Sequence, residues 1–136
     1  LQYEHNLKLQ AKYRSMDQDV MFEKIECDDA DFLLVAYGSS ARICQKVVEM
    51  ARSKGKKVGL LRPQTLFPFP SAELARMARR VKGMMAVELS AGQMVEDVKL
   101  AVNGKIPVSH FGMVGGRIHS PDDVLIELEK KYIGGY

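Results

Sequence analysis

DFLLVAYGSSARICQKVVEMARSKGKKVGLL, residues 31–61, decides the architecture. Phe32 to Tyr37 is an unbroken apolar run, as expected of a strand whose two sheet faces are both covered. Ala41, Cys44, Val47, Val48 and Ala51 then recur at helical spacing. Ser39 or Ser40 is expected to cap that helix and Gly55 to end it. KVGLL (57–61) follows as a second strand. Strand, helix and strand joined by short turns imply parallel strands and a right-handed crossover.

Toward the C-terminus the same grammar repeats. RPQTLFPFP (62–70) is held extended by Pro63, Pro68 and Pro70. A helix capped by Ser71 follows, with Leu74, Met77, Ala78 and Val81 on one face and Gly83 as its stop. MMAVEL (84–89) is the next strand. A helix with Met94, Val95, Val98, Ala101 and Val102 inward then ends at Asn103-Gly104. PVSHFGM (107–113) is a further strand. Ser120-Pro121-Asp122-Asp123 opens the last helix with a capping hydroxyl, a proline at the first turn and acids at the dipole's positive end.

Toward the N-terminus the pattern weakens. VMFEKIEC (20–27) reads as an edge strand, and Leu1 to Met16 as a polar helical segment with only Tyr3, Leu7 and Ala11 in register. Such a helix is expected to dock on another domain. Residues 1–30 are therefore a linker helix and edge strand leading into an α/β domain at 31–136, whose open, mainly parallel sheet carries helices on both faces.

The 136 residues suit a single core, and 46% apolar with 27% charged residues suits a soluble globular protein. No apolar run approaches the roughly 20 residues of a membrane-spanning helix. The leader lacks a signal peptide's apolar core, and a start at Leu1 suggests a piece of a longer polypeptide. The net charge of +3 is mild, and the basic groups (Lys54, Lys56, Lys57; Arg76, Arg79, Arg80, Lys82) lack aromatics for stacking. Nucleic acid and membrane are accordingly not expected partners. Cys27 and Cys44 do not make up the thiolate set of an iron–sulfur cluster or zinc site. A reduced, cytoplasmic protein is expected.

Working loops of open α/β sheets lie beyond the strands' carboxyl ends. YGSSAR brings Gly38, Ser39, Ser40 and Arg42 to a helix start, where an anion is favoured. The favoured reading is the plainer one, that the serine merely caps and the glycine merely turns. The dinucleotide glycine fingerprint is missing, and Arg62 stands where a ribose-binding acid belongs. In ELSAGQM, Glu88 is either a general base or a partner for facing backbone, and the turn is suited to packing on a neighbouring domain. His110 reads as a satisfied core histidine, His119 as exposed, and His5 lies in the polar leader. They show no metal-ligand spacing. The apolar side chains of RPQTLFPFP are costly to expose and are expected to lie against the domain's own flank or a partner, the small domain favouring the partner.

DFLLVAYGSSAR, GKKVGLLRPQTLFPFP, VELSAGQMVEDVKLAV and GMVGGRIHSPDDVL together resemble the C-terminal domain of the alpha subunit of 2-oxoacid:ferredoxin oxidoreductases, branched-chain (2-ketoisovalerate) type. LKLQAKYR resembles the segment that joins it to the preceding domain, so the resemblance covers essentially the whole chain. It implies the transketolase C-terminal fold. It also implies an enzyme converting a 2-oxoacid plus CoA to acyl-CoA, CO2 and reduced ferredoxin. Thiamine diphosphate, Mg and iron–sulfur clusters would be held elsewhere in that assembly, and none by this chain. The implied partners are the preceding thiamine-enzyme domain, the beta and other subunits, and ferredoxin and CoA through the whole complex. The domain itself would be architectural, with no catalytic residue. Gly38, Ser39, Ser40, Arg42, Ser90, Gly92 and Gln93 match the family's motifs as interface or ligand contacts. The alternative is a free-standing small α/β protein binding a phosphorylated ligand at YGSSAR.

Overall fold

In the computed structural model, residues 10–14, 20–65, 69–88, 93–112 and 120–132 are described, with 10–14 and Gln93 described by backbone alone. The elements run β1 (Gln10–Arg14), β2 (Met21–Ile25), β3 (Phe32–Ala36), α1 (Gly38–Ser53), β4 (Val58–Pro63), α2 (Ser71–Met77), β5 (Gly83–Glu88), α3 (Gln93–Val102), β6 (Val108–Gly112) and α4 (Pro121–Lys131). They form one six-stranded sheet of order β1-β2-β4-β3-β5-β6. β4, β3, β5 and β6 are parallel, and β2 joins β4, and β1 joins β2, antiparallel.

The strands' alternation sorts the core into two layers. Leu33, Val35, Leu61, Met84 and Ala86 face Leu74 and Met77 of α2 and Met94, Val95, Val98 and Val102 of α3. Leu34, Ala36, Leu60, Met85 and Val87 face Ala41, Cys44, Val47, Val48 and Ala51 of α1 and Val124, Leu125 and Leu128 of α4. Both faces are thus covered, which is why the central strands read as continuous apolar runs. Each fully buried leucine contributes about 2 kcal/mol.

Two expectations for the N-terminal stretch are corrected. Gln10–Arg14 lies within the segment read as helix, yet it is a strand, with Lys12 opposite Glu23. A weak local helical preference yields to the open hydrogen-bonding edge that β2 offers. For the same reason β2 is interior and not an edge strand. Residues 1–9 and 15–19 lie outside the described residues.

Helix ends divide similarly. Gly55 and Asn103-Gly104 do stop α1 and α3, each in left-handed backbone. At Gly55 the N–H groups of Gly55 and Lys56 return to the carbonyls of Arg52 and Ala51, the Schellman pattern. Ser120 caps α4 in a reciprocal box with Asp123. Neither Ser39 nor Ser40 caps α1, however; its N-cap is Tyr37, with no side-chain bond. Pro70, not Ser71, precedes α2, which ends at Met77, and Gly83 opens β5 instead of stopping that helix. Gly83 is bare because the Tyr132 ring lies against it; a Cβ there would stand 3.0 Å from Cε1.

At the amino edge of the sheet, Arg52 ties three segments together. Its Nε donates to Val58 O (3.1 Å), its Nη2 to Glu26 O (2.8 Å), and Nη1 and Nη2 bracket the Asp29 carboxylate. That guanidinium holds the Asp29 carboxyl below its ordinary range, and Lys56 does the same for Glu129. A carboxylate whose pKa is lowered on folding stabilises the native state above its unfolded value and loses that contribution as pH falls through the folded one. Stability is therefore expected to decline as pH drops below about 4.5, where unfolded carboxylates begin to bind protons. Asp29→Asn should flatten that decline in urea titrations at successive pH values. Because both carboxylates lie near the surface, each effect is small.

Candidate functional site

α1 leaves β3 on one face of the sheet, and α3 leaves β5 on the other. The carboxyl ends of these adjacent strands therefore flank the point where the crossovers diverge, the usual place for a crevice in open α/β sheets. Gly38 begins α1 there with φ +61°, a left-handed turn that favours glycine. Beside it opens a shallow cleft of about 380 Å³ lined by Tyr37, Gly38, Arg62, Pro63 and Gln64.

Arg62 reaches this rim from β4, directly opposite Glu23 on β2. Its Nη1 lies 3.0 Å from the buried Glu23 carboxylate, which leaves part of the guanidinium facing the cleft. Of the residues expected at this helix start, Gly38 lines the cleft, Ser39 and Arg42 are exposed, and Ser40 is buried beneath. Ser90 and Gly92 lie outside the described residues, and Gln93 is placed only as the first residue of α3.

Glu88, the last residue of β5, is fully buried. Its Oε1 accepts from Met94 N (2.9 Å) and its Oε2 from Val95 N (3.0 Å). These are two of the N–H groups that a helix start leaves without intrahelical partners, and a carboxylate complements the dipole there. Of the two roles open to Glu88, the structure shows the second: both oxygens bind facing backbone. The α3 N-terminus thus carries its anion from within the chain.

His110 on β6 stands across from Ala86 and leans along its strand toward Glu88. Its Nε2 is 3.5 Å from Glu88 Oε2 and, though buried, has no hydrogen-bond partner among the described residues. The expectation of a satisfied core histidine is therefore corrected. Gly112 makes this lean possible, since a Cβ on it would sit 2.8 Å from the imidazole Cε1. The spacing along the chain hides this pair, because parallel neighbours are brought together only by the sheet register.

The proline-rich stretch is described at its two ends. Gln64 N donates to Met21 O (2.8 Å), Met21 N donates to Thr65 Oγ1 (3.1 Å), and Phe69 packs against the α2–α3 core layer. These contacts are with the domain's own flank, the first of the two places open to the stretch. Leu66, Phe67 and Pro68 lie outside the described residues.

The two thiols do not fit cluster ligation. Cys27 belongs to the α2–α3 core layer and Cys44 to the α1–α4 layer. Burial pushes the Cys27 thiol up to about 11 and raises Cys44 further, so neither supplies a thiolate near neutrality. Among the described residues, no group of three or more His, Cys, Asp and Glu side chains is placed to hold a metal ion. No helix among them is long and apolar enough to cross a membrane.

The fold is that of a known class of domain. Residues 30–124 match the family model of the pyruvate:ferredoxin oxidoreductase core domain II, and the chain belongs to that family. It is 41% identical over 128 residues to the ketoisovalerate oxidoreductase subunit VorB of Methanothermobacter marburgensis, covering 93% of this chain and 36% of that protein. It is 35% identical over 109 residues to the 2-oxoglutarate synthase subunit KorA of the same organism, covering 80% of this chain and 29% of that one. The chain thus spans about a third of the curated relatives it matches. Among solved structures, a split-gene transketolase in an inactive β4 tetramer superposes with a TM-score of 0.67 at 17% identity, over 76% of this chain and 38% of that one. The 2-oxoglutarate:ferredoxin oxidoreductase of Magnetococcus marinus, solved with 2-oxoglutarate, coenzyme A and succinyl-CoA bound, gives 0.62 at 17%, over 76% and 18%. Both support the mainly parallel α/β fold.

Proposed function

We propose that this chain is the architectural domain of the alpha subunit of a thiamine-dependent 2-oxoacid:ferredoxin oxidoreductase, and that the enzyme's substrate is the branched-chain acid 2-ketoisovalerate. The enzyme oxidatively decarboxylates that acid with CoA to acyl-CoA, CO2 and reduced ferredoxin. Thiamine diphosphate supplies the carbon–carbon cleavage chemistry and iron–sulfur clusters the electron transfer, both held by other parts of the assembly. The observation that carries the architectural role is Glu88, whose two oxygens are spent on the α3 N-terminus. A carboxylate so engaged shapes a rim and does not turn a substrate over. The substrate choice is supported by the higher identity and coverage against the ketoisovalerate subunit than against the 2-oxoglutarate one.

A second reading, capture of a phosphorylated ligand at the α1 start, draws on the cleft that Gly38 shares with Arg62. It is the weaker one because Arg62 already neutralises Glu23. The experiment that tests the proposal is 2-oxoacid-dependent dye reduction by the complete purified enzyme. The expected outcome is a kcat/KM at least about tenfold higher for 2-ketoisovalerate than for 2-oxoglutarate, a difference of roughly 1.4 kcal/mol. The reverse order refutes the substrate, and no turnover with any 2-oxoacid refutes the enzyme class.

A further inference from the structure

Four cations fall within residues 76–82 (Arg76, Arg79, Arg80 and Lys82), and no carboxylate occurs between Glu73 and Glu88. They follow one another around the C-terminal end of α2 and the turn into β5. All four are exposed. Beside them is a cleft of about 360 Å³ lined by Lys24, Asp28, Glu73, Arg76, Met77 and Arg80.

Complementing the helix dipole does not account for this concentration. Only Arg76 occupies the last turn of α2, and the dipole's influence fades within that turn. Internal pairing does not account for it either. Arg76 and Lys24 together neutralise Glu73, and Arg80 donates to Cys27 O at 3.1 Å. Arg79 and Lys82 have no ion-pair partner among the described residues. On the opposite face the exposed Lys46 of α1 is paired with Glu49 along its own helix.

We propose that this basic ledge is a docking surface for an acidic polypeptide segment of an adjoining subunit. Arg79 and Lys82 meet its carboxylates, while Arg76 and Arg80, already engaged by Glu73 and Cys27 O, extend the positive field beside them. Charge complementarity selects the partner, because opposed potentials steer encounter and reject like-charged surfaces. A nucleic acid fits less well. The lining has no aromatic ring for base stacking, and Asp28 and Glu73 stand in the cleft where a phosphate would lie. This inference rests on reading the domain as part of a multisubunit enzyme.

Arg79→Glu and Lys82→Glu, singly and together, should be tested in the full-length chain co-expressed with its companion subunits. Both side chains are exposed and unpaired among the described residues, so folding is expected to be retained; circular dichroism of the purified protein checks it. Lys46→Glu is the charge-matched control on the opposite face. Native mass spectrometry across a NaCl series then reads subunit dissociation. Each single ledge variant is expected to weaken association about three- to tenfold and the pair more, with a shallower salt dependence, while the control matches wild type. Dissociation curves for the pair that overlay wild type overturn the proposal. So does loss of bound poly(U) in a filter assay with subunit association unchanged, which assigns the ledge to nucleic acid. If the wild-type chain brings no subunit with it, the multisubunit reading fails as well, an outcome distinct from the other two.

Discussion

Glu88→Ala is expected to cost about 3 kcal/mol of folding stability. The substitution leaves the N–H groups of Met94 and Val95 without their carboxylate, in a site closed to water. Each buried donor so orphaned costs about 1–3 kcal/mol, and a small cavity adds to that. His110 gives no relief, because an imidazole nitrogen beside Oε2 does not reach the backbone donors in its place. Glu88→Gln keeps the volume but only one acceptor oxygen, its amide nitrogen facing the other N–H, and should lose about half as much or somewhat more. Urea unfolding of the 136-residue chain, followed by far-ultraviolet circular dichroism, measures both. A loss for Glu88→Ala below about 1 kcal/mol would mean that the α3 start is satisfied by other groups.

Gly59→Ala is expected to be nearly as damaging, at about 2 kcal/mol. An added Cβ would meet Glu26 O at 2.8 Å, Cys27 Cα at 3.1 Å and Ala30 Cβ at 3.1 Å. Two of these are backbone atoms in the loop joining β2 to β3, and that loop does not yield cheaply. Glu26 already holds φ at +55°, and its carbonyl is also bound by Arg52. The usual gain of replacing a strand glycine, about 0.5–1 kcal/mol, offsets only part of the clash. The same unfolding experiment decides the sign; a variant as stable as wild type would show that the β2–β3 loop shifts freely.

The parallel half of the molecule was legible in the sequence because its strands are buried on both faces and its helices carry clean stripes. Leu33 to Ala36 read as a strand, and Cys44, Val47 and Val48 read as a core-facing helix, since burial dictates their chemistry directly. The antiparallel half was not. Gln10–Arg14 owes its conformation to the backbone edge of β2, which leaves no periodic mark in its side chains. Hydroxyls mislead at two helix starts: Ser39 and Ser71 have the chemistry of caps, but chain geometry puts Tyr37 and Pro70 at those positions.

The rim shows the same division. Glu88 stands out in the sequence, yet its role depends on the position of α3, which only the fold provides. A carboxylate closing an apolar strand a few residues before a helix is the signal available, and it names a capping anion as readily as a base. The Glu88–His110 approach and the Arg62–Glu23 pair were hidden, since each joins residues from separate strands through sheet register. Gly112 carries no local signature either, because what it accommodates is a side chain on its own strand leaning back over it.

Turnover by the assembled Glu88→Gln enzyme distinguishes a rim that scaffolds from one that reacts. A general base contributes about 10²–10⁴ in rate, so removing its ionisable group could not pass unnoticed. With subunit association confirmed in the same preparation, kcat for the proposed substrate, 2-ketoisovalerate, is expected to stay within about threefold of wild type across the pH range where the complex turns it over. A fall of a hundredfold or more in kcat, with the complex intact, would contradict a purely architectural domain and place Glu88 in the chemistry.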